Sequence, residues 1–185
     1  ILKGWEQILQ AYAKQFNITK LKYIVIGGDT GQESIYNGLQ AITKNHLAND
    51  VVMIHDGNRP MIAQEIITDS LVKLSQFGSA VAAIPCTEVV FVSEKGISSN
   101  KSIPRESLWR TQTPHTYYLG DILNAYQEAQ KLGIKNMAAS CSLMEALGRN
   151  SYFSRGSEKN LKITTTEDIE IFKSLLNTKK ESWIK

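Results

Sequence analysis

A chain of 185 residues, 42% hydrophobic and 21% charged, suits one globular domain and excludes disorder, collagen and coiled coil. The 21 Lys and Arg exceed the 18 Asp and Glu by only +3, and the surplus is evenly spread, so charge makes no case for nucleic acid. No apolar run approaches the ~18 residues of a membrane helix, and Ile1-Leu2-Lys3-Gly4-Trp5 lacks the leader and cleavage site of a signal peptide.

Trp5, Ile8, Leu9 and Tyr12 share one face of a predicted amphipathic helix, closed by Asn17-Ile18-Thr19. The chain enters this helix without an initiator Met, so a longer parent protein is expected. Leu21 to Ile26, ended by Gly27-Gly28, reads as a buried strand. A helix over Ser34 to Thr43 follows, then a strand Val51 to His55 stopped by Asp56-Gly57. Ile62 to Phe77 reads as helix and Ala80 to Ile84 as a third strand. Near-continuous apolar strands alternating with helices predict a mostly parallel sheet covered on both faces.

The middle of the chain changes character. Val89 to Val92 reads as a strand, Glu94-Lys95-Gly96 as a turn and Ser98 to Ser102 as a polar excursion, together an arm. Helices are expected near Leu119–Leu132 and Ala138–Leu147, and strands near Tyr152–Ser154 and Leu161–Ile163. Thr164 with Glu167 has capping-box spacing before a last helix carrying Ile169, Phe172 and Leu176. Cys86 and Cys141 stand in apolar stretches without metal-ligand spacing. They read as reduced, buried thiols of a cytoplasmic protein.

In open α/β sheets, ligands sit beyond the carboxyl ends of the strands. Gly27-Gly28-Asp29, His55-Asp56-Gly57-Asn58-Arg59-Pro60 and Asn160-Leu161-Lys162-Ile163-Thr164 place polar residues at such ends. Each alone reads first as a turn, a cap or a solvated lysine. Together they bring a carboxylate and two cations to one edge, which is what Mg²⁺-dependent phosphate chemistry needs.

These segments, in order, resemble the cytidylyltransferases that make CDP-activated polyols from 2-C-methyl-D-erythritol 4-phosphate (isoprenoid synthesis) or ribitol 5-phosphate (teichoic-acid and capsule synthesis). The resemblance runs from about Gly27 to Leu176. It includes Asn37-Gly38-Leu39, Ala83-Ile84-Pro85, Arg105-x-x-Leu108-Trp109-x-x-Gln112-Thr113-Pro114 and Thr165-x-Glu167-Asp168. It implies a three-layer α/β/α nucleotidyltransferase sandwich, Rossmann-like, with a projecting β-arm over about 89–109. Residues 1–185 would form a single domain lacking its first strand and Gly-rich loop.

The implied reaction transfers CMP from CTP to a sugar-alcohol phosphate, giving a CDP-polyol and pyrophosphate. By the same resemblance, Gly28, Asp29 and Ser34 recognise cytosine and hold the nucleotide, with Gly57 leaving room for the ribose. Asp56 holds Mg²⁺ beside the α-phosphate, and Lys162 points at that phosphate. Arg105 and Thr113 surround the polyol phosphate, the family's arginine reaching across from a partner's arm, so a homodimer clasped by arms is expected. Arg59 reads as bracing its loop.

Three departures stand against this pattern. The family's opening strand and Gly-rich loop have no counterpart, so either the native protein is longer or this chain is inactive. Glu88-Val89 occupies the place of the family's Asp-Thr, and Ala138-Ala139 the place of Thr-Asp. The last two changes fall at positions used around the polyol, which argues against methylerythritol phosphate as the best acceptor. The competing reading is a catalytically inactive nucleotide-binding regulatory or scaffold domain. His46 and His115 read as surface or packing residues, His55 as bonded to backbone, and Trp109 as packing.

Overall fold

The computed structural model describes residues 1–178, which separate into two compact units. The first comprises Ile1–Val52 and Tyr117–Ser151, and the second Met53–Thr116 and the described residues from Tyr152 on. Strand β1 comprises Val51–Ile54 and strand β5 Trp109–Tyr118.

The first unit holds four helices: α1 (Glu6–Gln15), α2 (Gly31–Ile42), α4 (Leu119–Lys131) and α5 (Ser140–Ala146). Its core joins Leu39 of α2 to Ile122, Ala125, Tyr126 and Ala129 of α4 and to Leu143 and Met144 of α5. Tyr36 stacks on Tyr126 at 6.1 Å between ring centroids. Helix α1 forms as its periodicity predicts, and Asn17 ends it with φ 52°. The expected strand over Leu21 to Ile26 does not form. That stretch runs without ladder pairing, its Val25 carbonyl accepting from the Ile1 amine at 2.8 Å, and Leu21, Tyr23 and Ile26 are exposed. An apolar run becomes a strand only where a neighbouring backbone pairs with it.

The second unit is built on β2 (Ser79–Pro85), whose Ala80, Val81, Ala82 and Ala83 are all buried. Small residues there let α3 (Gln64–Phe77) pack closely through Ile66, Ser70 and Leu74. Strand β6 (Phe153–Arg155) runs parallel to β2 with Val81 opposite Phe153, and Ser70 meets Ser154 at 3.1 Å. The order of the four-stranded sheet is β1-β5-β2-β6. A separate antiparallel ribbon, β3 (Val90–Phe91) with β4 (Ser102–Ile103), forms the arm, and a 3₁₀ turn at Arg105–Ser107 leads into β5.

Strand β5 was not expected. Its centre, Gln112-Thr113-Pro114-His115-Thr116, is fully buried yet carries no apolar alternation. Its proline reads as a strand breaker, and the Thr113–Pro114 peptide is cis. Conversely, Leu161 to Ile163 is no ladder strand. It is pinned instead by two bonds to one residue, Ile163 N–H to the Asn58 carbonyl and Asn58 Nδ2 to the Ile163 carbonyl, both 2.9 Å. The final helix α6 (Thr166–Thr178) is capped one residue later than its sequence spacing implies. Thr165 Oγ1 accepts from Asp168 N–H at 3.3 Å, and Asp168 Oδ2 accepts from Thr165 N–H at 2.8 Å. Aspartate at the third position does the work expected of Glu167.

Both cysteines are free thiols and buried. Among the described residues, no helix is long and apolar enough to cross a membrane.

Candidate active site

The second unit gathers its charged residues beyond the end of β1. His55 to Arg59 form a tight turn closed by Arg59 N–H to the Asp56 carbonyl at 3.0 Å. The Asp56 carboxylate, half-buried, receives two cations on the same oxygen. Arg59 Nε lies 3.1 Å and Lys162 Nζ 3.2 Å from Oδ2. Burial pushes this carboxyl's pKa up, but the hydrogen bond and charge of Lys162, followed by those of Arg59, outweigh it and hold the pKa below the usual 3.8. Asp56 is therefore an anion at neutral pH.

The two cations are not equivalent. The Arg59 side chain is 11% exposed, and its Nη1 is also spent on the Asn160 carbonyl at 2.7 Å. The Lys162 side chain is 45% exposed and has Asp56 as its sole ion-pair partner among the described residues. Arg59 braces the turn, as its place in the motif implied, while Lys162 is free to turn toward an incoming anion. One carboxylate between two cations leaves a local charge of +1, suited to a phosphate oxygen.

Thr113 of β5 holds the turn from the other side. Its Oγ1 is 3.0 Å from Asp56 N and 3.0 Å from His55 Nδ1. His55 Nε2 faces the Arg59 carbonyl at 3.0 Å, which can only accept. Nε2 therefore carries a proton, while the threonine hydroxyl accepts the Asp56 N–H and is hydrogen-bonded to Nδ1. The Thr113 hydroxyl is thus engaged within the protein. Gly57 is exposed, and a side chain there would meet nothing within 4 Å. Arg105 lies exposed on the 3₁₀ turn with Glu106 at 3.5 Å and makes no ion pair with the Asp56 cluster.

In the first unit, Gly28, Asp29 and Ser34 form one turn at the start of α2. Ser34 Oγ accepts from Gly28 N–H at 3.1 Å and donates to the Thr30 carbonyl at 2.9 Å. Thr30 caps α2, its Oγ1 accepting from Glu33 N–H at 3.1 Å. Glu33 Oε2 accepts from Asp29 N–H at 2.8 Å. A Cβ on Gly28 would stand 2.3 Å from Glu33 Cβ, so glycine is required there by close approach. The Asp29 carboxylate is exposed.

The sequence motifs contain Asn58, Gln112 and Asn160 without assigning them a role, and Glu33 lies outside the quoted residues; all four orient these turns. Asn160 is fully buried. It stands two residues before Lys162 in a quoted motif, and a polar residue at an internal strand end was the available signal. His115 is buried, as a packing residue would be. Burial depresses its pKa to about 4, with the Asp56 charge opposing and Arg59 reinforcing the shift.

Comparison with known proteins places these features in a family context. The family model for 2-C-methyl-D-erythritol 4-phosphate cytidylyltransferase matches residues 6–178. A ribitol-5-phosphate cytidylyltransferase of Lacticaseibacillus paracasei is 37% identical over 96% of this chain and 76% of its own length. A 2-C-methyl-D-erythritol 4-phosphate cytidylyltransferase of Alkaliphilus oremlandii is 34% identical over 95% of this chain and 71% of its own. The crystal structure of the Francisella tularensis 2-C-methyl-D-erythritol 4-phosphate cytidylyltransferase superposes with a TM-score of 0.74 and 28% identity. It covers 80% of this chain and 69% of that one. The fold is accordingly the α/β nucleotidyltransferase fold.

Proposed function

The chain belongs to the 2-C-methyl-D-erythritol 4-phosphate cytidylyltransferase family, and on that premise we propose that it transfers CMP from CTP to ribitol 5-phosphate, releasing pyrophosphate. The observation that carries the chemistry is the Asp56 carboxylate shared by Arg59 and Lys162 at the end of β1. An acceptor phosphate oxygen attacks the α-phosphorus in line, the bond to pyrophosphate breaks, and no covalent enzyme intermediate forms. Lys162 turns from Asp56 to the α-phosphate and neutralises charge as it builds. Arg59 stays on Asp56 and keeps the turn rigid. Gly28, Asp29 and Ser34 hold the cytosine, and Gly57 admits the ribose.

Among the described residues, no group of three or more His, Cys, Asp or Glu could hold a metal. A lone carboxylate nevertheless suits Mg²⁺, which keeps several waters and binds through one or two carboxylates plus substrate phosphates. Both cations use Asp56 Oδ2, which leaves Oδ1 to serve as the protein ligand. Bound there, Mg²⁺ supplies Lewis-acid neutralisation of the phosphate oxygens.

Support for ribitol 5-phosphate comes from two sides. The Lacticaseibacillus, Streptococcus agalactiae and Vibrio parahaemolyticus relatives bear that acceptor in their names. Val89, Ala138 and Ala139 also lack the hydroxyl and carboxylate groups expected around methylerythritol phosphate, and a buried hydroxyl left unpaired costs roughly 1–3 kcal/mol. The product would feed teichoic-acid or capsule synthesis. Pyrophosphate release by the complete gene product with CTP and a panel of polyol phosphates is the test. The highest kcat/KM is expected with ribitol 5-phosphate. Equal or better turnover of methylerythritol phosphate would transfer the assignment to that acceptor, and no turnover at all would favour the inactive module.

The arm supports a homodimer. A two-stranded ribbon is marginal in water by itself, yet Val89, Phe91, Val92 and Ile97 on this one are exposed. A second copy would cover them and carry Arg105 toward its partner's acceptor phosphate. Buried free thiols fit the reducing cytoplasm.

A further inference from the structure

Asn160 is 0% exposed, and its bonds reach both halves of the charged cluster. Its Nδ2 donates to the Thr113 carbonyl at 2.8 Å and lies 3.4 Å from Gln112 Oε1. Thr113 in turn takes the Asp56 N–H on its hydroxyl. The Asn160 main-chain carbonyl accepts from the Nη1 of Arg59, whose Nε lies on Asp56 Oδ2. Two residues on, Lys162 reaches that same oxygen. The Asn160 Oδ1 is buried without a hydrogen-bond partner. A native fold retains such a cost where another requirement fixes the residue, since a buried unmet acceptor costs free energy that an apolar residue would avoid.

The surroundings of Asn160 are built to hold it still. Gln112 Nε2 donates to the Ser157 carbonyl at 2.9 Å, and Gln112 Oε1 accepts from Ser157 N–H at 3.1 Å. Gly156 N–H donates to the Ala83 carbonyl at 3.0 Å. A Cβ on Gly156 would stand 2.7 Å from that carbonyl oxygen and 2.8 Å from Gln112 Oε1. The segment leading to Asn160 is therefore clamped between β2 and β5. Beyond it, the Asn58–Ile163 pair closes the far side of Lys162.

We propose that Asn160 is a positioning residue for the transfer reaction, fixing the separation of Asp56 and Lys162: its buried amide ties β5 to the segment whose main chain receives Arg59 and carries Lys162. This rests on the function proposed above. It assigns Asn160 no contact with substrate. Its effect is confined to the geometry of the pair, where a displacement of about 1 Å can cost on the order of 100-fold in rate.

The test is a double-mutant cycle on the complete protein, read as pyrophosphate release with CTP and the best acceptor. Asn160→Ser removes the amide. Asn160→Gln keeps it but moves it by one methylene. Each should lower kcat 10- to 100-fold while KM for CTP stays within threefold. In an Asp56→Asn background each should cost less than a further threefold, because the pair it positions is already broken. Ser154→Ala, which removes a buried hydrogen bond elsewhere in the unit, should leave kcat unchanged. Multiplicative losses in the Asp56→Asn background would overturn the proposal. So would retention of kcat by a folded Asn160 variant, or failure of both variants to fold. An inactive wild type would instead overturn the functional reading itself.

Discussion

The Thr113 hydroxyl lies 3.0 Å from the Asp56 backbone nitrogen, so a residue of β5 sets the orientation of a carboxylate at the end of β1. It does so through one hydrogen-bonded chain, from Asp56 N–H to Thr113 Oγ to His55 Nδ1, with His55 Nε2–H closing on the Arg59 carbonyl. Thr113→Val keeps shape and volume but leaves the Asp56 N–H unmet, a cost of about 1–3 kcal/mol. The expected outcome is a lower urea midpoint and at least a tenfold loss of kcat, with Thr113→Ser close to wild type. Stability and turnover of the two variants check this, and a Thr113→Val enzyme as active as Thr113→Ser would exclude an orienting role.

Asp56→Asn removes the charge between Arg59 and Lys162 without changing shape. Turnover is expected to fall by at least ~100-fold, the scale for one electrostatic group at a transition state. The folded carboxyl pKa is depressed below 3.8, so its stabilising contribution is present above 3.8 and is lost only as pH falls through the lower folded value. The variant should therefore match wild type most closely in acid-induced unfolding below that range and differ from it near neutral pH. Circular dichroism during acid titration, alongside steady-state kinetics, measures both.

The contrast between Asp56 and Asn160 shows what the sequence carries and what it hides. Asp56, Gly57 and Arg59 follow an apolar strand and stop it, so periodicity alone places them at a strand end. Lys162 was legible only through the motif around it, because the Leu161–Ile163 run that suggested a strand is held by Asn58 instead. Strand β5 is invisible in the sequence because its buried Gln112 and Thr113 are polar and bond to long-range partners such as Asn160, 47 positions from Thr113. The Leu21–Ile26 run fails in the opposite sense, with strand-like composition but no ladder partner among the described residues.

His115 offers a second pH signature, at higher pH than that of the Asp56 carboxylate. Its folded pKa is about 4 against 6.5 for the exposed ring, with burial the main cause. Between these values the unfolded chain binds a proton that the folded chain does not, so stability rises with pH across the window and is lost as pH falls from 6.5 toward 4. The full effect is about 3 kcal/mol, with roughly 2 kcal/mol already lost at pH 5. Urea unfolding at pH 7 and pH 5 should show this slope in wild type and a flatter one in His115→Gln. Equal slopes would assign the dependence to other groups.

Ala139 bears on the departure seen at residues 138–139. It stands at the N-cap of α5 with φ −154° and ψ 161°, the extended conformation caps adopt, but no side chain there accepts from the first turn. Asp or Ser at this position would satisfy an orphan N–H, and Asp would also face the positive end of the helix. Ala139→Asp is expected to stabilise the protein by about 1 kcal/mol, seen as a higher urea midpoint. If the aspartate also improves kcat/KM for methylerythritol phosphate relative to ribitol 5-phosphate, the position contributes to acceptor choice as well as to the helix.

Ile97, 86% exposed in the turn between β3 and β4, makes the proposed homodimer testable without unfolding either unit. It lies beside Gly96, whose φ of 67° shapes the turn. An apolar residue that exposed contributes almost nothing to its own subunit, so Ile97→Asp should leave the midpoint of denaturation of the isolated subunit unchanged. Placed against a second arm, the same change buries a carboxylate among Val89, Phe91 and Val92, and an unpaired charge is costly to bury. The expected result by sedimentation equilibrium is a dimer for wild type and at least a tenfold weaker association for Ile97→Asp, equivalent to about 1.4 kcal/mol. Turnover should fall with the dimer and recover at high protein concentration, because Arg105 of one subunit would then again reach the acceptor phosphate of the other. A wild-type protein that sediments as a monomer at micromolar concentration would remove the arm from the assembly. A dimer unaffected by Ile97→Asp would move the interface to another surface. Loss of turnover that high protein concentration fails to restore would show that the substitution acts within one subunit.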